Sequence, residues 1–208
     1  MNSGDVKQRP TGEEKAWNIL ATMSPEDVCK RALVSYDAPS GLYAVRSFGM
    51  EYRVSVQNQR ISSLSPGDDI VLTRLGDFFR LSLLWYLVDA KEIPSTGKLT
   101  RIEDIKDGLI FSRGSHTLPL GKLAAKYGND KEGFIKKGKD LGGETLDHGD
   151  ASVRLLPFPR IPVTLVLWLA DEEFPARSDL MLDSSCDLHL ATDVIWYIAM
   201  MSVLLMLF

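Results

Sequence analysis

Residues Leu165–Arg177 read LVLWLADEEFPAR, an apolar run that ends abruptly in three consecutive carboxylates, Asp171, Glu172 and Glu173, before Phe174, Pro175, Ala176 and Arg177. The run has the density of a buried strand, and a strand that ends in a charged turn fixes position while exposing polar groups. Working back from it, Val163–Leu169 and Val153–Leu156 read as two strands. The cluster Pro157, Pro159 and Pro162 divides them and keeps the intervening chain extended.

Further towards the N-terminus the hydrophobic period changes. Tyr43, Val45 and Ser47 alternate with Ala44, Arg46 and Phe48, and Tyr52, Val54 and Val56 alternate with Glu51, Arg53 and Ser55, which predicts a β-hairpin. Gly49 and Met50 are the expected two-residue loop, with glycine in its first position. A third short strand around Arg60–Leu64 extends the meander. Before the hairpin, Glu13–Thr22 reads as a helix, and Ser24-Pro25-Glu26-Asp27 as the start of another that turns Cys29, Ala32 and Leu33 inward. Residues 1–12 form a polar leader, so the expected organisation is a flexible 1–12 and one domain over 13–208.

Asp68–Val88 is dense in apolar residues and predicts a central helix, with a break near Gly76 as the competing reading. A mixed connector follows, with a short strand at Leu109–Ser112. Pro119–Tyr127 and Lys131–Lys139 read as short helices, the second ended by Gly142 and Gly143. Val194–Phe208 is apolar except for Ser202. Its length falls short of the roughly 20 residues that span a bilayer, and no Lys or Arg flanks it, so a buried helix or subunit contact is favoured over a membrane tail. The succession of hairpin, helices, strands and terminal helix predicts a single α+β domain with a largely antiparallel sheet, an N-terminal hairpin and an apolar C-terminal helix.

The composition sets bounds on function. The 208 residues are 45% hydrophobic and 25% charged, which suits a packed globular core. A net charge of -4 with interspersed signs gives no basic surface for nucleic acid. Cys29 and Cys186 have no Cys-x-x-Cys spacing, and no apolar signal segment opens the chain, so reduced thiols in the cytoplasm are the expectation.

The acidic triplet supports three readings: a solvated turn that caps a following helix or neutralises Arg177, a ligand or metal site, and a general acid–base pair. His116, His148 and His189 are widely spaced and read as surface or capping residues, a tertiary cluster with Asp150 or Asp183 being the other reading. The glycine-rich run from Leu141 through Asp150 lacks the spacing of a phosphate loop, and Ser184, Ser185 and Cys186 have no visible base partner. The tryptophans read first as core.

Several of these segments occur together: LGG at Leu141–Gly143, Gly149-Asp150, LPFPRIPVTLVLW, DEEFPAR and LDSSCDLHLATDVIW. In that combination the chain resembles the bacterial and archaeal family known as domain of unknown function 3786, from about Trp17 to the C-terminal helix. The resemblance implies a domain of this size that is sometimes attached to a four-cysteine iron–sulfur module in anaerobes. Two cysteines cannot build such a module here, so an iron–sulfur role would come through a partner. Neither a cofactor nor catalytic residues are carried over.

The expected function is a ligand-binding or accessory protein serving an anaerobic metallocofactor, corrinoid or iron–sulfur system, with an iron–sulfur or corrinoid protein as partner. Its expected ligand-binding residues are Asp150, Trp168, Asp171, Glu173, Arg177 and Asp183. An enzyme is the second reading, and it requires Asp171 and Glu173 to converge with a His or Asp in one pocket. An interaction protein that uses Val194–Phe208 to form a homo-oligomer or partner contact is the third.

Overall fold

A computed structural model describes residues 11–64, 69–109 and 116–208. Most of the expected leader lies outside them, as does the strand expected over Leu109–Ser112 from residue 110 onwards. The first helix, α1, spans Thr11–Leu20, so Thr11 and Gly12 belong to it and not to a leader.

Alternation over 42–55 makes the expected hairpin. β2 (Leu42–Ser47) pairs antiparallel with β3 (Met50–Ser55), and Tyr43, Val45, Tyr52 and Val54 are buried on one face. β1 (Ser35–Asp37) and β4 (Arg60–Ser63) complete a four-stranded meander in the order β1-β2-β3-β4. The loop sits one residue earlier than expected. Ser47 pairs with Met50, so Phe48 and Gly49 form the turn, at φ 48° and 77°. Phe48 is held there by burial of its ring and by its N–H, which donates to the Leu156 carbonyl at 2.9 Å.

The second sheet has the order β5-β9-β8-β7-β6 and is antiparallel throughout. Its strands are β5 (Leu99–Thr100), β6 (Glu144–Leu146), β7 (Ala151–Phe158), β8 (Ile161–Trp168) and β9 (Arg177–Asp183). β7 and β8 are longer than their apolar runs, because Pro157 and Pro162 lie inside them. Pro157 falls where the register shifts between Leu155 and Phe158, a place that does not need its missing N–H. One face of this sheet, carrying Val153, Leu155, Val163, Leu165, Leu167, Leu180 and Leu182, is buried.

That face is covered by helices. α5 (Leu120–Tyr127) and α6 (Lys131–Asp140) pack on β9 and β7, and Gly138 of α6 allows contact with Val153, whose side chain occupies the space a Cβ would need. α8 (Thr192–Leu207) packs against β7, β8, α5 and α4 (Gly76–Asp89). The Asp68–Val88 segment breaks at Leu75: α3 (Ile70–Arg74), capped by the Asp69 carboxylate, precedes α4. The break near Gly76 is therefore real, with helix on both sides. α2 (Pro25–Ala32) buries Val28 and Ala32, whereas Leu33, at φ 52°, is 56% exposed. Its left-handed backbone ends the helix and turns the side chain out, contrary to the inward expectation.

Ten residues of α8 are buried within this single chain. Its last carbonyls are bound as well: Tyr127 Oη donates to Met206 O at 2.7 Å, and Lys126 Nζ donates to Leu207 O at 2.8 Å. The apolar C-terminal helix thus packs into the core, with Tyr197, Met200, Leu204 and Leu207 half-buried along its outer side. Among the described residues, no helix is long and apolar enough to cross a membrane.

Candidate functional site

The strand pair β8–β9 carries the expected site residues at its two ends. At one end Trp168 and Arg177 are register partners on the face turned away from the helices, and the Arg177 guanidinium lies 4.0 Å from the Trp168 ring centroid. This is a cation–π stack at a half-open surface. Asp150 joins them: its N–H donates to Leu167 O and its Oδ2 accepts the Leu169 N–H at 2.8 Å.

Asp171 closes the turn that follows. Its Oδ1 accepts the N–H groups of Glu173 and Phe174 at 2.9 and 2.7 Å, while its own N–H donates to Phe174 O. A side chain that satisfies the backbone two and three residues on makes the turn local and rigid. The turn is also anchored from outside, because Ala170 N–H donates to Gly128 O and the Ala176 methyl packs where Gly128 would carry a Cβ. Glu172, Glu173 and Phe174 are left exposed, Phe174 at 66%.

The acidic triplet is therefore a solvated turn that caps no helix. A strand follows it, not a helix, and the Asp171 carboxylate is engaged by backbone N–H groups. Among the described residues, no three His, Cys, Asp or Glu side chains are gathered as metal ligands.

Asp183 is not part of this cluster. It ends β9, at the opposite end of that strand from Arg177, and is 3% exposed. Its carboxylate accepts Thr96 N–H and Oγ1–H, both at 3.0 Å, Gly97 N–H at 2.8 Å, Ser185 N–H at 3.0 Å and Ser185 Oγ–H at 2.6 Å. Burial alone would push its carboxyl up, but the Ser185, Thr96 and Gly97 donors outweigh it and hold the group below its ordinary value. Asp183 thereby ties the 95–98 segment to the sheet, a structural task. Of the six expected residues, Asp150, Trp168, Asp171 and Arg177 come together, Glu173 stands on their turn, and Asp183 lies apart.

The sequence profile of the family described as Domain of unknown function (DUF3786) matches residues 24–204, nearly the whole chain. The chain belongs to this family. No curated protein and no solved structure matches it. The DUF3786 match opens at the cap of α2 and closes inside α8, so both sheets and the core helix fall within it.

The DUF3786 domain also holds a residue whose setting was not read from the sequence. His189 ends α7 (Cys186–His189) and is 2% exposed, not a surface histidine. Its Nδ1 accepts the Lys91 N–H at 3.2 Å, so the neutral ring carries its proton on Nε2, which has no acceptor among the described residues. Burial lowers its pKa, Arg160 and Lys91 lower it further, and Asp183 opposes them. Next to it, burial pushes the Cys186 thiol up to about 12, far from a reactive thiolate.

The lowered His189 pKa has a consequence for stability. Below its ordinary value of 6.5, the unfolded chain takes up a proton that the folded ring refuses. Stability is then full above pH 6.5 and falls as the pH drops towards the folded value. Urea midpoints of wild type and His189→Gln, measured from pH 7.5 downwards, should converge as the pH falls below 6.5. Parallel curves would show that His189 is not the group responsible.

Proposed function

We propose that this DUF3786 domain is a non-catalytic accessory protein that docks a partner through the 168–177 end of its larger sheet. The observation that carries the reading is Phe174, an aromatic side chain held 66% exposed on a turn fixed by the Asp171 carboxylate. An exposed aromatic on a rigid support loses little entropy on binding, and aromatic and Arg side chains dominate the energetics of interfaces. Trp168 and Arg177 supply both beside it, and Glu172 and Glu173 give the rim a negative sign that suits a basic partner surface. The enzyme reading required Asp171 and Glu173 to converge with another titratable group in a pocket, and their placement on an exposed turn speaks against it.

The iron–sulfur modules implied by the resemblance direct the choice of partner to an iron–sulfur or corrinoid protein. The free thiols Cys29 and Cys186 suit a reducing cytoplasm. The test is co-purification without oxygen from the native host, followed by elemental analysis and absorption spectroscopy. Wild type should carry an iron or corrinoid protein with it, and Phe174→Ala should weaken that association at least about tenfold while keeping its fold. Absence of any such partner, or equal association by Phe174→Ala, would overturn the reading.

A further inference from the structure

We propose that the open edge of β9 accepts, as an added strand, a short extended segment of a partner protein that alternates basic and apolar residues. β9 is seven residues long, yet β5 pairs only with its last two, Leu182 and Asp183, before the chain leaves the sheet at Arg101. Along Arg177–Met181 the side of β9 turned away from β8 has no strand partner among the described residues. This stretch carries neither proline nor lysine, the usual guards against pairing at an edge.

Alternation along the ladder identifies the backbone groups left over. Ser184 N–H donates to Lys98 O at 2.8 Å, and groups that face one neighbour recur at every second residue, so Leu182, Leu180 and Ser178 present their N–H and C=O to this edge. Leu182 pairs with Thr100. Leu180 and Ser178 are only 5% and 7% exposed, and on this side neither makes a backbone bond to any described residue. Unpaired donors and acceptors on nearly buried residues demand partners, and an extended chain supplies both at strand spacing.

A slot of about 400 Å³ lies against Asp179 and Leu180, walled by the 101–104 and 117–120 segments. Ser178 Oγ–H donates to Leu120 O at 2.8 Å and fixes the start of α5 beside it. About four residues of extended chain, spanning roughly 13 Å, would cover Ser178–Met181.

The lining selects the side chains of the guest. A residue opposite Leu180 turns to the same face as Leu180, where Leu118 and Leu120 also line the slot, and so is apolar. Its neighbours turn to the other face, beside Asp179. Glu103 and Asp104 add two carboxylates to the wall, and neither forms an ion pair with a described residue. Arg101, the one cation of the lining, stands 3.9 Å from Asp179 with most of its side chain in solvent. Three carboxylates against one guanidinium favour lysine or arginine at the alternate positions of the guest.

This inference is independent of the docking surface. The experiment is an amide NMR titration of the full chain with a blocked tetrapeptide of alternating lysine and valine, up to about 10 mM. The same peptide methylated on its valine nitrogens and a peptide with glutamate in place of lysine are the controls. The lysine peptide should shift the Leu180 and Ser178 amide resonances saturably, with a Kd on the order of 1 mM. Methylation removes the N–H that Leu180 O would accept and should weaken binding at least about tenfold. Asp179→Asn should weaken it about threefold, the share of one exposed ion pair. Absence of saturable shifts, equal binding of the methylated peptide, or equal binding of the glutamate peptide would overturn the proposal.

Discussion

Ending the chain at Asp193 is expected to abolish cooperative folding, not merely to change an assembly state. Ten residues of α8 are buried, among them Ile195, Ile198, Met201, Val203, Leu205 and Met206. At about 1.5–3 kcal/mol for each large apolar side chain removed from water, the loss exceeds the roughly 5–15 kcal/mol by which a domain of this size is normally stable. The exposed faces of α4, β7 and β8 would be apolar and unpaired. Far-UV and near-UV circular dichroism and light scattering on the truncated chain provide the check. A folded monomer with a native near-UV signal would show that the helix is dispensable to the core.

Asp183→Ala is expected to cost about 3–5 kcal/mol, a large effect for a single substitution. The mutation deletes the acceptor for five donor groups in Thr96, Gly97 and Ser185. Bonds to a buried carboxylate are worth more than neutral ones, and the buried Ser185 donors, left without an acceptor, carry their desolvation cost. Asp183→Asn keeps one carbonyl but turns an NH₂ group towards N–H donors, so it should fall between wild type and Asp183→Ala. Urea unfolding measures the total. Hydrogen exchange locates it: the amides of Thr96 and Gly97 should lose protection in Asp183→Ala, while Val153 and Leu165 in the sheet interior keep theirs. Because the carboxyl is held below its ordinary value of 3.8, this stabilisation is complete above that pH and is lost as acid protonates it. A cost near zero would mean that water replaces the carboxylate freely.

Much of this architecture was legible because its signals are local. The hairpin follows from alternation in 43–56, the short helices from their terminators, and β8 from its apolar run. β9 was not legible. RSDLMLD has Leu180 and Leu182 at strand spacing, but Met181 breaks the polar alternation and charges occupy both ends. Only its central place between β5 and β8 makes it a strand. The one-residue displacement of the hairpin loop has the same origin. Glycine in the first position is the locally favoured choice, yet Phe48 takes a positive φ because its ring is buried and its N–H finds Leu156 across the chain.

Three of the six expected site residues, Trp168, Asp171 and Arg177, converge because Leu165–Arg177 brings its own turn, so sequence neighbours remain neighbours in space; Asp150 joins them through its bonds to Leu167 and Leu169. Asp183 could not be separated from them without the strand between. His189 was missed for a related reason. Its flanks, Asp187 and Asp193, suggest a surface, and it is buried where it accepts the Lys91 N–H and feels the charge of Arg160, neither of which is near it in sequence.

β9 links Arg177 to Asp183 as one rod, hydrogen-bonded to β8 along its length and to β5 at its far end. Six residue steps of about 3.3 Å separate its ends by roughly 20 Å. Such a strand cannot slide by one residue without turning every buried side chain to the wrong face, so it transmits no small displacement. Substitutions at Phe174 and at His189 should therefore act additively, and the two ends of this domain can evolve under separate selection.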